Sequence, residues 1–176
     1  MRERLEIDLI KAAASGDIES FGKLCGMYYS AMVAISYSIM GDHQLAEDSA
    51  QETFARALLN IKKLKNQDKF AQWLAAICRN VAKDMLSNRT KIPNNEALSQ
   101  TKQESNQDHV QINHAIEKLP SSMKELIVLR YYDGLSYEQI SSVLGISKAS
   151  INGRLTRAKR KMANYLRKMD LSENQS

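Results

Sequence analysis

Apolar residues recur along this chain at the three-and-four spacing of helices, and nowhere with the strict alternation of a half-buried strand. The clearest case runs from Phe21 through Leu24, Cys25, Tyr28, Met32 and Ile35 to Ile39. Asp17 stands where an N-cap carboxylate is wanted and Gly41 where a left-handed exit is wanted, so one long core helix is predicted between them. Leu5, Ile7 and Ile10 mark a short helix before it. Leu45, Phe54, Leu58 and Ile61 mark another after it, with Leu45, Phe54 and Leu58 available for the core. Phe70, Trp73, Leu74, Ile77, Val81 and Met85 form an unbroken stripe on a third.

Between 88 and 113 the pattern gives way to Asn, Gln, Ser, Thr and Lys around Pro93, a composition that cannot bury enough apolar surface to offset the entropy of ordering. A linker is expected there. Helical signals resume with Ile112, Ile116 and Leu119 ahead of Pro120. Ser122 and Glu125 read as a capping box for a helix carrying Met123, Leu126, Ile127 and Tyr131, which Gly134 ends.

Residues 136–162 then hold two capped helices joined by a very short turn. Ser136 and Gln139 form a capping box; Ile140, Val143 and Leu144 give a buried stripe; Gly145 permits the turn; Ser147 caps the next helix. This is the pattern of a helix-turn-helix. On the second helix Ile151, Leu155, Ala158, Met162 and Leu166 share one face, leaving Ala149, Asn152, Gly153, Thr156, Arg157 and Arg160 on the other. Small and hydrogen-bonding residues near the N-terminus of such a helix suit base edges in a major groove, and Lys and Arg farther along suit phosphates. The bland alternative is a helix pair in a bundle with a basic outer surface. Gly153 costs about 1 kcal/mol relative to Ala inside a helix, so a close approach of the backbone to DNA is the expected reason for it.

Composition sharpens this picture. With 7 Gly and 2 Pro in 176 residues and 43% hydrophobic content, the chain is expected to be all-α: two small helical domains joined by a flexible linker. The net charge of +5 is unevenly spread. Eight Lys and Arg and no acid lie in 141–169, leaving 17 of the 25 basic residues against all 20 acidic ones, so a basic C-terminal module follows a mildly acidic remainder. Cys25, Cys78, His43, His109 and His114 make neither a disulfide framework nor a metal-ligand spacing, and no Gly-rich phosphate loop or catalytic constellation is present. No enzyme activity, cofactor or metal is expected. Both cysteines fall on apolar helical positions and read as packing residues. The charged first eleven residues do not fit a signal peptide, and no apolar run approaches the roughly 20 residues that span a bilayer. A soluble, cytoplasmic protein is expected.

Four segments together resemble the extracytoplasmic-function sigma factors of the sigma-70 family, which hold only regions 2 and 4 of larger sigma factors. "AASGDIESFGKLCGMYY", "LAEDSAQETFARAL" and "FAQWLAAICRNVAKDML" are similar, in order and spacing, to region 2. "IEKLPSSMKELIVLRYYDGLSYEQISSVLGISKASINGRLTRAKRKM" is similar to region 4. The resemblance implies domains at 1–90 (region 2) and 112–170 (region 4), with 91–111 as linker and 171–176 as tail. It implies a transcription initiation factor that brings core RNA polymerase to particular promoters and helps open them. The expected partners are core polymerase, through the clamp helices of its largest subunit and its flap, promoter DNA, and an anti-sigma factor able to hold the protein at a membrane and release it on a stress or envelope signal. No small-molecule substrate is expected.

Residue roles follow from the same resemblance. Glu47, Asp48, Gln51 and Glu52, at i, i+1, i+4 and i+5, make one acidic and polar helix face and are assigned to core-polymerase binding; a merely solvated face is the plain alternative. Lys63, Lys65, Asn66, Gln67 and Asp68, in a polar loop anchored only by Leu64, are assigned to a base flipped from the −10 element, with Arg79, Asn80 and Lys83 as backbone contacts. Lys148, Ala149, Ser150, Asn152, Gly153, Arg154, Thr156, Arg157 and Arg160 are assigned to the −35 element. The chain departs from the family where relatives often carry a dense Arg cluster, offering only Arg89 and Lys91. It departs again at Asn152 and Gly153, where relatives often have Lys or Arg and then Ser, so its −35 sequence is not given by analogy. A rival reading is a DNA-binding regulator with an N-terminal sensor or dimerisation domain, which would need no acidic docking helix and no base-capturing loop. A serine recombinase would need strands and a nucleophilic Ser in an α/β domain, which the pattern lacks.

Overall fold

Asp17 starts the longest N-terminal helix as its position implies. Its carboxylate accepts from the Glu19 amide at 3.1 Å and from the Ser20 hydroxyl at 2.5 Å. Gly41 ends the helix with φ at +69°, its N–H returning to the Tyr37 carbonyl. This structure, a computed structural model, describes residues 2–91 and 107–173. The described segments are helical throughout, in two domains: α1 (Arg2–Ala14), α2 (Ile18–Met40), α3 (His43–Asn60) and α4 (Phe70–Lys91), then α5 (Gln107–Glu117), α6 (Ser121–Ile127), α7 (Tyr137–Leu144) and α8 (Lys148–Glu173). Two short 3-10 turns, Ile61–Lys63 and Gln67–Lys69, carry the chain from α3 to α4, and a π-helical turn, Val128–Tyr132, prolongs α6. Most of the expected linker, from 92 to 106, lies outside the described residues, as do the last three residues of the tail.

In the N-terminal domain α2 packs against α1, α3 and α4, and α3 against α4. Leu24, Met32 and Ile35 of α2 and Phe70, Leu74 and Val81 of α4 are fully buried. The contribution of α3 is different. Its buried face is Ala46, Ser49, Ala50, Thr53, Phe54 and Ala57, whereas Leu58 is 37% exposed and Leu59 80%. The expectation that Leu58 serves the core is therefore corrected: the helical phase that buries Ala46, Ala50, Phe54 and Ala57 carries Leu58 and Leu59 round to the rim. The polar members of this face are satisfied. Ser36 donates to Ser49 Oγ at 2.9 Å and lies 3.1 Å from the Cys78 sulfur, which donates to the Met32 carbonyl at 3.3 Å; Thr53 bonds the Ser49 carbonyl at 2.7 Å.

The C-terminal domain buries Leu126, Leu129, Ile140 and Ile151. Two expectations are corrected in it. No capping box forms at Ser122 and Glu125. Pro120, with φ at −54°, already sets the helical entry, and its carbonyl accepts from Met123 and Lys124, so Ser122 lies inside α6 and Glu125 is free for a different partner. Tyr131 is 51% exposed because the π-helical turn adds a residue to the repeat and moves Val128 and Leu129 to the core instead. Ile112 is likewise 40% exposed.

The two domains pack on each other. The π-helical turn and α6 lie on α2, and α7 lies on α4, so one apolar cluster runs through both. Gly145 ends α7 with φ at +68°, and a Cβ there would come within 2.8 Å of the Gln72 side chain on α4. Ring centroids of Tyr37 on α2 and Tyr132 on the π-helical turn are 6.1 Å apart.

The Asp17 cap gives a stability test. The Ser20 hydroxyl, and after it the Glu19 and Ser20 amides, hold its carboxyl below the ordinary 3.8. A carboxylate whose folded value is depressed stabilises the fold above the unfolded value and loses that contribution as pH falls through the folded one. Asp17→Ala is expected to lower the melting temperature by a few degrees at neutral pH. The gap to the wild type should narrow as pH is taken below 3.8, measured by circular-dichroism melts across that range.

Candidate nucleic-acid interface

The helix-turn-helix is built by local chemistry. The Ser136 hydroxyl accepts from the Gln139 amide at 3.2 Å while the Gln139 side chain accepts from the Ser136 amide at 2.8 Å, closing the box that starts α7. Ser141 Oγ donates to the Ile146 carbonyl at 2.7 Å and fixes the turn. The Ser147 hydroxyl accepts from the Ser150 amide at 3.2 Å to start α8. With Ile151, Leu155 and Ala158 buried, the helical phase leaves Lys148, Ala149, Asn152, Gly153, Thr156, Arg157 and Arg160 exposed on the outer face, and Ser150 and Arg154 half-buried at its edges. A side chain at Gly153 would meet nothing within 4 Å, so the glycine answers no need of the fold itself. Two bonds hold the face in order: Thr156 Oγ1 to the Asn152 carbonyl at 2.9 Å and Arg157 Nε to the Gly153 carbonyl at 3.2 Å. Lys148 is bonded to Glu138, whose carboxyl that bond holds below the usual glutamate range. Behind the face, Lys159 sits over the Tyr131 ring at 4.8 Å.

In the N-terminal domain the two 3-10 turns and the loop between them present Lys63, Lys65, Asn66 and Asp68 to solvent, with Gln67 half-buried. It is organised rather than random. Asn66 caps the second turn by accepting from the Asp68 amide at 3.0 Å, and Lys63 donates to Asn60 Oδ1 at 2.9 Å. On α4, Asn80 and Lys83 are exposed. Arg79 is not: its Nε and Nη2 both reach Glu125 Oε1 of the C-terminal domain, at 2.9 and 2.8 Å. Trp73 is half-buried beside Phe70, ring centroids 5.9 Å apart.

On α3, Asp48, Gln51 and Glu52 are exposed and Glu47 is half-buried, 3.6 Å from His43. Glu52 is tied to Arg56 at 2.6 Å, and Arg56 reaches on to Asp84 of α4 at 3.4 Å. Arg56 and Leu59 adjoin this face although no motif in the sequence marks them. Spacing alone places Leu59 four residues beyond Ala55 and seven beyond Glu52, on the same outward face. Cys25 is half-buried and Cys78 fully buried, and burial pushes both thiols up, away from thiolate reactivity. Among the described residues no group of side chains is arranged to hold a metal ion, and no helix is long and apolar enough to cross a membrane.

Two family models match the chain: Sigma-70 region 2 over residues 24–92 and Sigma-70, region 4 over residues 109–162. The chain is 31% identical over 168 residues to a probable RNA polymerase sigma factor, RfaY, of Xanthomonas campestris, covering 88% of this chain and 42% of that longer relative. It is 27% identical over 177 residues to the ECF RNA polymerase sigma factor SigW of Bacillus subtilis, covering 90% of this chain and 95% of the relative. The solved structure of CnrH in complex with the cytosolic domain of CnrY superposes with a TM-score of 0.63 at 24% identity, over 92% of this chain and 97% of that one, a likeness of fold. Both conserved regions are present in order, on the helices that their patterns predict, and the chain belongs to the extracytoplasmic-function sigma factors of the sigma-70 family.

Proposed function

We propose that this protein directs core RNA polymerase to its promoters with two separate DNA-facing surfaces, one on each domain. The observation that carries this reading is the outer face of α8, ordered by a capped turn and exposing Asn152, Gly153, Thr156, Arg157 and Arg160 in a stretch of chain that contains no acid. Lys148, Ala149, Ser150, Asn152, Gly153 and Thr156 meet base edges of the −35 element, and Arg154, Arg157 and Arg160 meet its phosphates. The loop with Lys63, Lys65, Asn66, Gln67 and Asp68 takes a base of the −10 element, and Arg79, Asn80 and Lys83 follow its backbone. Glu47, Asp48, Gln51 and Glu52 dock on a basic surface of the polymerase's largest subunit, with Leu59 adding apolar area beside them. The work is binding work: contacts to DNA and polymerase position and open the promoter without a catalytic group of this chain. The protein acts in the cytoplasm, and residues 1–90 and 112–170 are its two functional domains.

A protein inhibitor is the further partner proposed. CnrH was solved with the cytosolic domain of another protein, CnrY, and family resemblance extends this to an anti-sigma factor that covers the DNA-facing or polymerase-facing surfaces until a signal releases it.

Run-off transcription of fragmented bacterial genomic DNA, with core polymerase alone and with this protein added, tests the reading. New discrete transcripts that share a two-part upstream element are expected. DNA binding without protein-dependent initiation would favour the rival, a DNA-binding regulator. Gly153→Leu is expected to keep its helix content, since open space surrounds the position, and to lose promoter binding in a mobility-shift assay; retained binding would remove the close-approach role. Arg157→Ala and Arg160→Ala should each weaken binding on all sequences alike and reduce the slope of log affinity against log salt by about 0.9, read from titrations at several salt concentrations.

A further inference from the structure

Arg79 lies on the α4 face proposed to follow DNA, between the exposed Asn80 and Lys83 on one side and the body of the C-terminal domain on the other. It is the member of that set whose charge is already matched. Glu125 of α6, 14% exposed, places one carboxylate oxygen at 2.9 and 2.8 Å from two nitrogens of the guanidinium, itself 31% exposed. The pair joins residues 46 positions apart in the two domains. Glu125 makes no cap for its own helix, which Pro120 begins. Close by, Gly145 of the helix-turn-helix meets Gln72, seven residues before Arg79 on the same helix.

A carboxylate presents an Arg fork with the same acceptor chemistry as a phosphate, and one guanidinium edge cannot serve both in full. We propose that Glu125 is an internal substitute for a DNA phosphate: it holds Arg79 in a closed state of the protein and gives way when nucleic acid takes its place. In the closed state the C-terminal domain covers part of α4, so binding of DNA at Arg79 and separation of the domains are one coupled event. Free protein then binds the N-terminal DNA site weakly, because the closed fraction must be opened first. The consequence for DNA rests on the proposed role of α4; the closed state and its latch do not.

The test uses the full chain with spin labels at Ala55→Cys and Ala163→Cys, both exposed, in a Cys25→Ala background, Cys78 being fully buried. The inter-label distance is measured alone and with a short single-stranded DNA oligomer, and oligomer affinity is titrated without polymerase. Wild type is expected to show one closed distance that shifts when DNA is added. Glu125→Gln, with unchanged helix content, should show the shifted distance without DNA and bind the oligomer about tenfold more tightly. The charge exchange Arg79→Glu with Glu125→Arg should restore the closed distance and abolish the response to DNA. If Glu125→Gln leaves both distance and affinity unchanged, or opens the protein with no gain in affinity, the phosphate-substitute role is wrong. Loss of the sigma reading would instead appear in run-off transcription by the wild type, which this experiment does not use.

Discussion

The structure depends on how closely α2, α3 and α4 approach one another. Among the large buried side chains of these helices lies a set of small ones: Ala34 and Ser36 from α2, Ala46, Ser49, Ala50 and Ala57 from α3, Ala71, Ala75 and Cys78 from α4, all buried. Helix axes separate according to the side chains at the contact, and small ones bring the backbones near. Close approach also makes the crossing intolerant of an unpaired hydroxyl. The Ser36, Ser49 and Cys78 contacts answer that need by linking three helices through mutual donors and acceptors. The angle between α3 and α4 is fixed at this crossing, and with it the separation of the acidic outer face of α3 from the polar loop and the Asn80 and Lys83 face of α4. Arg56, bonded to Glu52 on one helix and Asp84 on the other, repeats the same link at the surface.

Features with short-range causes were legible in the sequence. The caps at Asp17, Ser136 and Ser147 and the left-handed exits at Gly41 and Gly145 depend on a few neighbouring residues, and each stands where its pattern placed it. So does the phase of α8, because Ile151, Leu155 and Ala158 fix which side faces out. What could not be read were quantities set by distant partners. Hydrophobicity alone points Leu58 inward, whereas the phase set by Ala46, Ala50 and Ala57 points it to the rim. A regular 3.6-residue period points Tyr131 inward, but the segment widens into a π-helical turn that no local pattern announces. Glu125 reads locally as a cap for its own helix, while its partner, Arg79, is 46 residues away in sequence. Of the candidate site, exposure along α8 and the loop was foreseeable, whereas the occupation of Arg79 was not.

The seam between the domains mixes two kinds of contact that respond to different conditions. Apolar packing of α6 and the π-helical turn on α2 is insensitive to salt, while the Arg79 and Glu125 pair, partly open to water, is screened by it. Ionic strength therefore acts on the latch and on DNA binding in the same direction, weakening both.

The π-helical turn at Val128–Tyr132 carries a consequence of its own. One added residue in a helix rotates everything beyond it by about 100°, so the chain here stores a fixed angular offset between the apolar stripe of α6 and the residues that follow. Leu129 stays with the interior of its own domain while Tyr132 is turned toward Tyr37 of the other. The offset works as a phase shifter: a single helical strand serves two partners in different directions. A regular helix in its place would keep the helix-turn-helix intact yet present a differently rotated surface to the N-terminal domain.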